Sequence, residues 1–518
     1  SRINFCDIML FIFLNLLLGA LSMLLLNSAL TKIENGKYET AYNDARAAEK
    51  LLDIVKPSVY NFFDTISILD KEGKISSKFL LLENAVGLTR IMSHTVASAT
   101  DLKDLSSTQR LESIISDFTY VYLEGQSVLL SHNNDSLKEK LKPEFSKLLS
   151  LSTILRPILG FDDEKKYLLL FQNNNELRPS GGFIGSVGEV SVNKGKFSDL
   201  KITDVYELDG QLKTHVEPPF VVRRYLQPHL YLRDSNFSMD IEETYRKAAT
   251  IYSLETKKVP NAIIAINLDV LEKIIKIVGP IEIPEYKIRV DSKNIGSVMQ
   301  DTIQQNNFPG STAKKDLLLK ILNQLVLKSH SDKAKSFEVI KLLPSLLEEK
   351  NILISFDNES LQKVFRANGY SSNLTDLRER KKNTSHDFLY VNEANIGVNK
   401  VNEFVKREIK YDATVTPEGI KSNLQIILNN ESTKDNYKTY MQIAVPKGSK
   451  IEGIKINNIA QKISPAITDQ RVYEARGFSE PTTLEVEEYD IKSNTIFAFI
   501  VTIAKSQKSI RCFWNCLL

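Results

Sequence analysis

Apolar and polar positions divide the chain into parts with different periods. Between residues 37 and 160, apolar residues recur three and four positions apart, which predicts amphipathic helices in a stalk or bundle. Between residues 165 and 400, short apolar runs alternate with helical stretches, a pattern typical of a mixed sheet covered by helices. Between residues 404 and 505, alternating segments separated by Pro, Gly and Asn predict antiparallel strands. We therefore expect an α/β protein with a helical stalk, a central α/β domain and a sandwich-like β domain.

The two ends of the chain depart from these patterns. No charged residue occurs from Ile8 to Leu30, and a helix of that length reaches across a hydrocarbon core of about 30 Å. We therefore expect residues 1–36 to form a transmembrane anchor in a lipid bilayer. The basic residues on its two sides do not decide its orientation. At the other end, residues 506–518 follow no period and are interpreted as an irregular tail.

The central part begins with a buried strand and a polar segment. The apolar run from Tyr167 to Phe171 has the length of a covered strand. Three asparagines, residues 173–175, follow it and predict a tight loop, because asparagine tolerates left-handed backbone. Glu176 and Arg178 come next, and the following Pro-Ser-Gly-Gly sequence lets the backbone turn sharply. The predicted loop therefore carries a charge pair on shaped backbone.

A crossover unit is predicted further along the central part. A hairpin turn at residues 193–195 is followed by a loop, from Tyr231 to Asp240, that carries Arg233 and Asp234. The segments IEETYRKAATIYSL, NAIIAIN, LDVLEKIIKIV and IEIP then predict helix, strand, helix and a short strand. Strand, helix and strand at this spacing, from NAIIAIN to IEIP, indicate a crossover unit in a covered sheet.

Composition and motifs exclude several classes of function. The chain has 67 basic and 64 acidic side chains, and a net charge of +3 gives no reason to expect nucleic acid as a partner. The three cysteines lie at the ends of the chain and the six histidines show no ligand spacing. Phosphate-binding glycine loops with lysine, nucleophile elbows and zinc-protease motifs do not occur in the sequence. A triad hydrolase or a zinc enzyme is therefore disfavoured.

Charged residues in loops after strands are the remaining candidates for chemistry. Ligands of open α/β sheets bind beyond the carboxyl ends of the strands. Arg178 and Arg233 could converge there on one anionic group, and Asp234 and Asp240 could hold Mg²⁺ bridging a pyrophosphate. Arg233 and Asp234 would then be the catalytic residues of a phosphoryl-transfer site. The structural alternative is a loop-fixing pair of Glu176 with Arg178, turn-forming roles for Asp234 and Asn236, and Asp240 as a helix N-cap.

Three sequence blocks resemble a known family. They are E-L-R-P with G-G-F at residues 176–183, L-R-D-S-N-F-S-M-D at residues 232–240, and NAIIAINLDVLEKIIKIVGPIEIP at residues 261–284. Together with the segment from Asp387 to Lys400, they resemble the bacterial domain-of-unknown-function family number four-zero-one-two. That family is more distantly similar to the LytR-CpsA-Psr envelope proteins, which transfer glycopolymers from a polyprenyl pyrophosphate lipid. On this resemblance we interpret as ligand-binding residues Asn173, Glu176, Arg178, Gly181, Gly182, Asn236 and Lys400.

The resemblance implies a function and leaves an alternative. It implies a single-pass cell-membrane protein of the bacterial envelope, extracytoplasmic in bulk, that binds or transfers a polyprenyl-phosphate-linked glycan to the cell wall. The segment STAKKDLLLKILNQL departs from the arginine-rich helix start of LytR-CpsA-Psr enzymes, because it offers Lys314 and Lys315 without the arginine fork. The alternative is a non-catalytic surface scaffold, in which Arg178 and Arg233 stabilise the fold.

Overall fold

The structure is a computed structural model. The residues that it describes are 5–65, 74–100, 108–131, 139, 149, 152–299, 312–330, 332–371, 387–417, 419–465, 485–491, 494–504 and 510–517. The chain divides into two compact units. The first comprises residues 1–165, 191–198 and 323–343, and the second comprises residues 166–190, 199–322 and 344–518. The five-part division expected from the sequence stays a prediction.

Long helices build the first unit. Its main helices are α1 (Phe5–Glu34), α2 (Tyr38–Thr65), α3 (Lys74–Thr100) and α4 (Thr108–Ser131). Small side chains allow α1 and α2 to approach closely, since Ala29, Ala41 and Ala45 are fully buried in one cluster. Helical patterns at three- and four-residue spacing therefore correspond to real helices in this part of the chain.

The predicted membrane span is wrong. Within the part of the chain that the structure describes, no helix combines the length and the apolar character needed to cross a membrane. In the second half of α1, Leu25 and Leu26 pack against the buried side chains of Ala48 and Leu52, whereas Met23 and Leu24 are exposed. The transmembrane helix in the expected fold class and the single-pass location in the cell membrane are both corrected by this finding.

A β-hairpin tip belongs to the first unit. Strands β2 (Gly181–Asn193) and β3 (Lys196–Phe197) pair antiparallel at residues 192–197. The two residues between them, Lys194 and Gly195, have φ angles of 49° and 78°. Two consecutive positive φ values are the signature of the tight turn that suits strand twist. The hairpin predicted at residues 193–195 is therefore confirmed.

A mixed sheet organises the α/β part of the chain. Its order is β3-β2-β1-β5-β8, with β4 also paired to β2. Strand β1 spans Lys165–Arg178, β4 spans Lys201–Asp204, β5 spans Ala262–Asn267 and β8 spans Ile352–Phe356. Strand β1 pairs parallel with β5 from Tyr167 opposite Ala262 to Gln172 opposite Asn267, so a crossover connects these two strands. Two short strands, β6 (Ile281–Ile283) and β7 (Ile288–Val290), form a separate antiparallel hairpin. The crossover unit predicted from NAIIAIN to IEIP is therefore wrong, because IEIP pairs outside the sheet that contains β5.

Helices cover this sheet and close its core. They are α5 (Val205–Asp209), α6 (Phe220–Tyr225), α7 (Ile241–Thr256), α8 (Leu268–Val278) and α11 (Glu359–Ala367), and the chain also forms helices α9 (Thr312–His330) and α10 (Lys333–Glu348) between α8 and α11. The apolar face of α7 packs on the sheet, where Ile241, Tyr245 and Ile251 join Leu168 and Leu170 of β1 in one buried cluster. The helices predicted at residues 241–254 and 268–278 are confirmed. The sequence also predicts a helix from Ser297 to Asn306, and residues 300–306 of it lie outside the described residues.

The asparagine-rich segment is strand rather than loop. Strand β1 continues through residues 173–175 and ends only at Arg178, so the predicted loop is wrong. An added Cβ on Gly182 of β2 would lie 2.2 Å from the Asn173 carbonyl oxygen, so the two backbones are tightly packed there. The backbone N–H of Leu177 donates to Asn402 Oδ1 at 3.2 Å. Tertiary partners therefore keep extended a segment whose local preference is for a turn.

Two five-stranded sheets form the C-terminal part. One has the order β10-β11-β18-β13-β14 and the other β15-β16-β17-β12-β9. The strands are β9 (Tyr390–Asn395), β10 (Val405–Thr416), β11 (Gly419–Asn430), β12 (Tyr437–Pro446), β13 (Lys450–Ile456), β14 (Ile459–Ala460), β15 (Lys462–Pro465), β16 (Glu485–Ile491), β17 (Asn494–Ile503) and β18 (Ile510–Leu517). Side chains from both sheets, including Leu424, Ile426, Ile443 and Phe497, share one buried core. This arrangement is a β-sandwich, as the alternating pattern predicts, but β15 and β16 pair parallel where antiparallel strands were expected.

The irregular tail is a strand in the structure. Strand β18 lies between β11 and β13 and pairs antiparallel with both. On one face of this strand, polar Arg511 and Asn515 alternate with apolar Phe513 and Leu517. The sequence therefore lacks the regular change between polar and apolar residues that identifies a half-buried strand. Strand β9, which was assigned to the central part, also pairs with β12 in the sandwich.

Candidate functional site

The turn between β1 and β2 places the two predicted ligand-binding glycines. Gly181 has a φ angle of 118°, and a Cβ added there would lie 2.0 Å from Gln172 Oε1. A Cβ on Gly182 would lie 2.2 Å from a backbone oxygen. Both positions therefore require glycine because of contacts inside the protein.

The segment of residues 232–240 holds this turn in place. Asn236 is fully buried, and its Nδ2 donates to the carbonyl of Gly182 at 2.7 Å. The N–H of Ser180 donates to the carbonyl of Asn236 at 3.2 Å. The Ser180 hydroxyl donates to the carbonyl of Ser238 at 2.6 Å. Two blocks that are far apart in sequence thus form one hydrogen-bonded structure.

Arg178 lies at the centre of this structure and is fully paired. Its Nε donates to Asp234 Oδ1 at 2.9 Å and its Nη2 donates to Glu176 Oε1 at 3.0 Å. Its Nη1 donates to the carbonyls of Leu177 and Asn395. Only 3% of the residue is exposed. Buried charges of this kind are stable only when paired, which the contacts achieve.

Arg233 approaches the same aspartate from another side. Its Nη1 donates to Asp209 Oδ2 at 2.6 Å, its Nη2 donates to Gln227 Oε1, and its Nε lies 3.7 Å from Asp234 Oδ2. The guanidinium carbon lies 4.4 Å from the ring centre of Tyr231. Arg178 and Arg233 do converge on one anionic group, but that group is the side chain of Asp234.

We call these five charged residues the arginine–aspartate cluster: Glu176, Arg178, Asp209, Arg233 and Asp234. Its contacts favour the structural alternative for Glu176, Arg178 and Asp234. The catalytic and ligand roles assigned to them from the sequence stay predictions.

The two carboxylates predicted to hold Mg²⁺ each have protein donors. Asp234 accepts from Arg178 and also from Gln227 Nε2 at 2.8 Å. Asp240 is the N-cap of α7 and accepts from the N–H groups of Glu242 and Glu243 at 3.1 and 3.2 Å. Among the described residues, no group of three or more His, Cys, Asp or Glu side chains is arranged to hold a metal ion. Asp240 as N-cap is the structural role that the sequence predicts as the alternative.

Lys400 differs from the two arginines. In the described part of the chain, its ammonium makes no hydrogen bond or ion pair. Burial lowers the pKa of Lys400, and the carboxylates of Glu176 and Glu403 act in the opposite direction. Glu403 also accepts a hydrogen bond from Asn175 Nδ2 at 3.4 Å. Lys400 therefore lies near the polar end of β1 with its charge unpaired.

An open cleft lies at the carboxyl ends of the parallel strands β1 and β5. We call it the strand-end cleft. The centres of water-sized groups can occupy about 60 Å³ of it, within an open space of about 630 Å³ that includes solvent at the mouth. Apolar side chains dominate its lining, namely those of Phe171, Ile266, Leu268, Leu271, Met299 and Leu318. This is where ligands of open α/β sheets bind.

Two residues in the wall of this cleft carry a buried polar atom without a partner. Ser186 and Asn267 line it, and within the described residues the buried Ser186 Oγ and Asn267 Oδ1 have no hydrogen-bond partner. Asn173 and Asn175 also line it. Buried polar atoms normally find partners, so unpartnered ones at an open cleft indicate a place for ligand or water. Asn173 is the one predicted ligand residue in this lining.

The structure also brings together two acids that the sequence did not single out. Burial raises the pKa of Asp209 to about 6, although the Arg233 guanidinium lowers it in part. Burial and the neighbouring Asp209 charge raise the pKa of Glu255 to about 8. Both carboxylate oxygens of Glu255 are buried, and Asp209 and the backbone of Leu232 are hydrogen-bonding groups beside them. One feature of the sequence could have identified Glu255. It lies four residues after Ile251, on the apolar face of α7, where a charged side chain is unusual.

The cleft residues were missed for a different reason. Asn267 directly follows the apolar run of β5, and the rule for strand carboxyl ends points to it. Ser186 and Gly296 carry no sequence signal, because only tertiary packing brings them to the cleft. Lys315, in the lysine-containing helix start, pairs with Glu207 at 3.1 Å. The side chain of Lys314 lies outside the described residues.

The sheet order, the crossover and the strand-end cleft define an open α/β domain, which is joined to a β-sandwich. Residues 162–303 match the model of the family described as "Protein of unknown function (DUF4012)", and this segment is a domain of that family. The family predicted from the three sequence blocks is thereby confirmed. No curated protein matches the chain. The more distant resemblance to the LytR-CpsA-Psr proteins stays a prediction.

Proposed function

We propose that the α/β domain binds a polyprenyl-phosphate-type lipid in the strand-end cleft and does not transfer it. One observation carries the proposal. An apolar cleft at the carboxyl ends of β1 and β5 presents two buried polar atoms, Ser186 Oγ and Asn267 Oδ1, that have no partner among the described residues. A ligand with an apolar chain and a polar head group satisfies both parts of such a lining.

The apolar side chains suit an isoprenoid chain. Phe171, Leu271 and Leu318 come from a strand and two helices, and they face a common space. Each methylene moved from water to such surroundings contributes about 0.8 kcal/mol. An isoprenoid chain gains affinity here without any ionic contact.

The rim supplies groups for a phosphate head. Asn173 and Asn175 line the cleft, and Asn175 is hydrogen-bonded to Glu403, one of the two carboxylates that act on Lys400. The ammonium of Lys400 can hold a phosphate as a point charge. Amide and hydroxyl groups contribute neutral hydrogen bonds.

The arginine–aspartate cluster supports binding without transfer. Arg178 donates to two carboxylates and two carbonyls, and Arg233 donates to Asp209 and Gln227. Stabilising a transferring phosphoryl group requires donors aimed at the charge that develops on it. Guanidinium groups that already donate to the protein are not available for that role.

Filling the cleft tests the proposal. Gly296 lines the cleft, and a Cβ added to it meets only Leu268 Cδ2 at an ordinary 3.5 Å. Gly296→Leu should therefore fold and should weaken binding of geranylgeranyl phosphate by at least about tenfold in calorimetric titration. Gly87→Leu is the matched control, because a Cβ there meets nothing within 4 Å. Equal affinity of the two variants would reject the cleft as the site.

The head group is tested separately. Lys400→Gln should weaken geranylgeranyl phosphate by about fivefold to tenfold and leave geranylgeraniol unchanged, because only the phosphate contacts a charge. Lys276→Gln removes an exposed lysine on α8 and serves as control. If neither lipid binds to the wild-type protein, the non-catalytic scaffold becomes the better explanation.

A further inference from the structure

A second pocket lies at the opposite end of β5 from the strand-end cleft. Its lining includes Asn261 and Ile263 at the start of β5, Asp357 just after β8, and side chains of α7 and α11. The centres of water-sized groups can occupy about 320 Å³ of it. One water needs about 10–15 Å³ by this measure, so the pocket has room for a larger polar molecule.

Tyr245 is the unusual residue in the lining of this pocket. Tyr245 lines the pocket and is 1% exposed, and in the described chain its Oη has no hydrogen-bond partner. Burial raises its pKa well above the ordinary value, so the phenol keeps its proton. A buried tyrosine hydroxyl normally finds a partner, and an unpartnered one at a pocket points to an absent ligand.

The charges of the pocket nearly cancel. Arg366 donates from Nε and Nη2 to both oxygens of Glu242, at 2.7 and 2.9 Å, and also donates to Glu359. The remaining charges are those of Arg246, which is exposed, and Asp357, which accepts from Asn261 Nδ2 at 3.0 Å. Carboxylates repel a phosphate, and arginines repel an ammonium group. The pocket is therefore suited to a neutral ligand.

The residues that line this second pocket offer both hydrogen-bond donors and hydrogen-bond acceptors to a ligand. The Tyr245 hydroxyl can donate, and so can Arg246, whose guanidinium makes no hydrogen bond or ion pair with described residues. Asp357 keeps acceptor capacity beyond its one bond to Asn261. Adjacent hydroxyl groups on a ring donate and accept at the same time, so they match such a mixture without adding charge.

We propose that this pocket binds a neutral polyhydroxylated ring, a hexose-type sugar. Tyr245, Arg246 and Asp357 contact its hydroxyl groups, and Glu242 and Arg366 form a rigid wall because they are tied to each other. The site is separate from the strand-end cleft and does not depend on the lipid proposal.

Saturation-transfer NMR and calorimetric titration of the whole chain with glucose, N-acetylglucosamine and inositol test the site. We expect binding of roughly millimolar strength by at least one of these probes. Tyr245→Phe should weaken it by about fivefold, the value of one hydrogen bond, and should leave the melting temperature equal or higher because an unpartnered hydroxyl is removed. Arg246→Gln should weaken it similarly, while Arg289→Gln, an exposed control that is absent from the pocket lining, should not.

Each other outcome overturns the proposal. Absence of saturation transfer from all three probes rejects a sugar ligand. Normal sugar binding by Tyr245→Phe together with a lower melting temperature assigns the hydroxyl a purely structural role. Binding that is lost in Gly296→Leu, which fills the strand-end cleft, places the sugar in the other site.

Discussion

Two regions of the α/β domain use the same strand in different ways. Glu176 and Arg178 of β1 belong to the arginine–aspartate cluster, whereas Phe171, Asn173 and Asn175 line the strand-end cleft. Successive side chains of a strand point to opposite faces, so the two sets lie on different sides of the sheet. The cluster is closed and charged, whereas the cleft is open and mostly neutral.

The comparison shows which polar groups are available to a ligand. Charged residues in the cluster must be paired to be buried, so their strong chemistry is used inside the protein. The Ser186 hydroxyl and the Asn267 amide oxygen at the cleft are weaker groups, but no described residue satisfies them. Sequence motifs rich in arginine and aspartate can therefore mark a structural support rather than the place where a ligand binds.

The largest effect is expected from breaking the cluster. Arg178→Met leaves Asp234 and Glu176 without their main partner in a buried place, so the free energy of unfolding should fall by about 3 to 5 kcal/mol. Urea unfolding measures it, and Arg289→Met, at an arginine whose side chain is 66% exposed, is the control. If Arg178→Met has normal stability but no longer binds the lipid, Arg178 is a ligand-binding residue, and the cluster rather than the cleft is the binding region.

The carboxyl pair beside the cluster predicts a pH dependence. Folded-state pKa values of about 6 for Asp209 and about 8 for Glu255 exceed the ordinary carboxyl values near 4. The folded state thus holds extra protons, and the stability from this pair is complete below about pH 4 and is lost as pH rises through 6 and 8. The slope is at most about 1.4 kcal/mol per pH unit and proton.

Removing one acid of the pair should flatten that dependence. Glu255→Gln cannot ionise, so its free energy of unfolding should fall less than that of the wild type between about pH 5 and about pH 8.5. Urea unfolding across this range measures the difference. Glu408→Gln, at an exposed position, should keep the wild-type slope. If the free energy of unfolding changes equally with pH in the wild type and in Glu255→Gln, Glu255 does not hold an extra proton in the folded state.

The sequence predicts elements better than it predicts partners. Strand β5 and helices α7 and α8 have strong periods, and the structure has them where the pattern places them. The asparagines of β1 and the residues of β18 have local preferences that tertiary pairing overrides, so their strands could not be read from the sequence. The convergence of Arg178 and Arg233 was predicted from loops after strands. The identity of the anion between them, Asp234, depends on side-chain geometry that no spacing encodes.

A smaller effect on stability is expected at Asp240, where substitutions distinguish a helix N-cap from a metal ligand. Asp240 accepts from two N–H groups at the start of α7, so Asp240→Ala should lower the free energy of unfolding by about 1 kcal/mol. Asp240→Ser should recover most of it, because serine is also a good N-cap. Thermal unfolding with and without Mg²⁺ measures both. A melting temperature that rises with Mg²⁺ only in the wild type would favour a metal-binding role for Asp240.

The smallest effect on stability is expected at the cleft itself. Ser186 is 1% exposed and its hydroxyl has no partner among described residues, so Ser186→Ala should leave the free energy of unfolding unchanged or raise it by up to about 1 kcal/mol. Ser235, which is also buried, donates to the carbonyl of Leu232 at 2.8 Å, and Ser235→Ala should cost about 1 kcal/mol. If Ser186→Ala instead loses as much stability as Ser235→Ala, the Ser186 hydroxyl has a partner in solution. The cleft would then be as well satisfied as the cluster, and the contrast between the two regions would no longer identify a binding site.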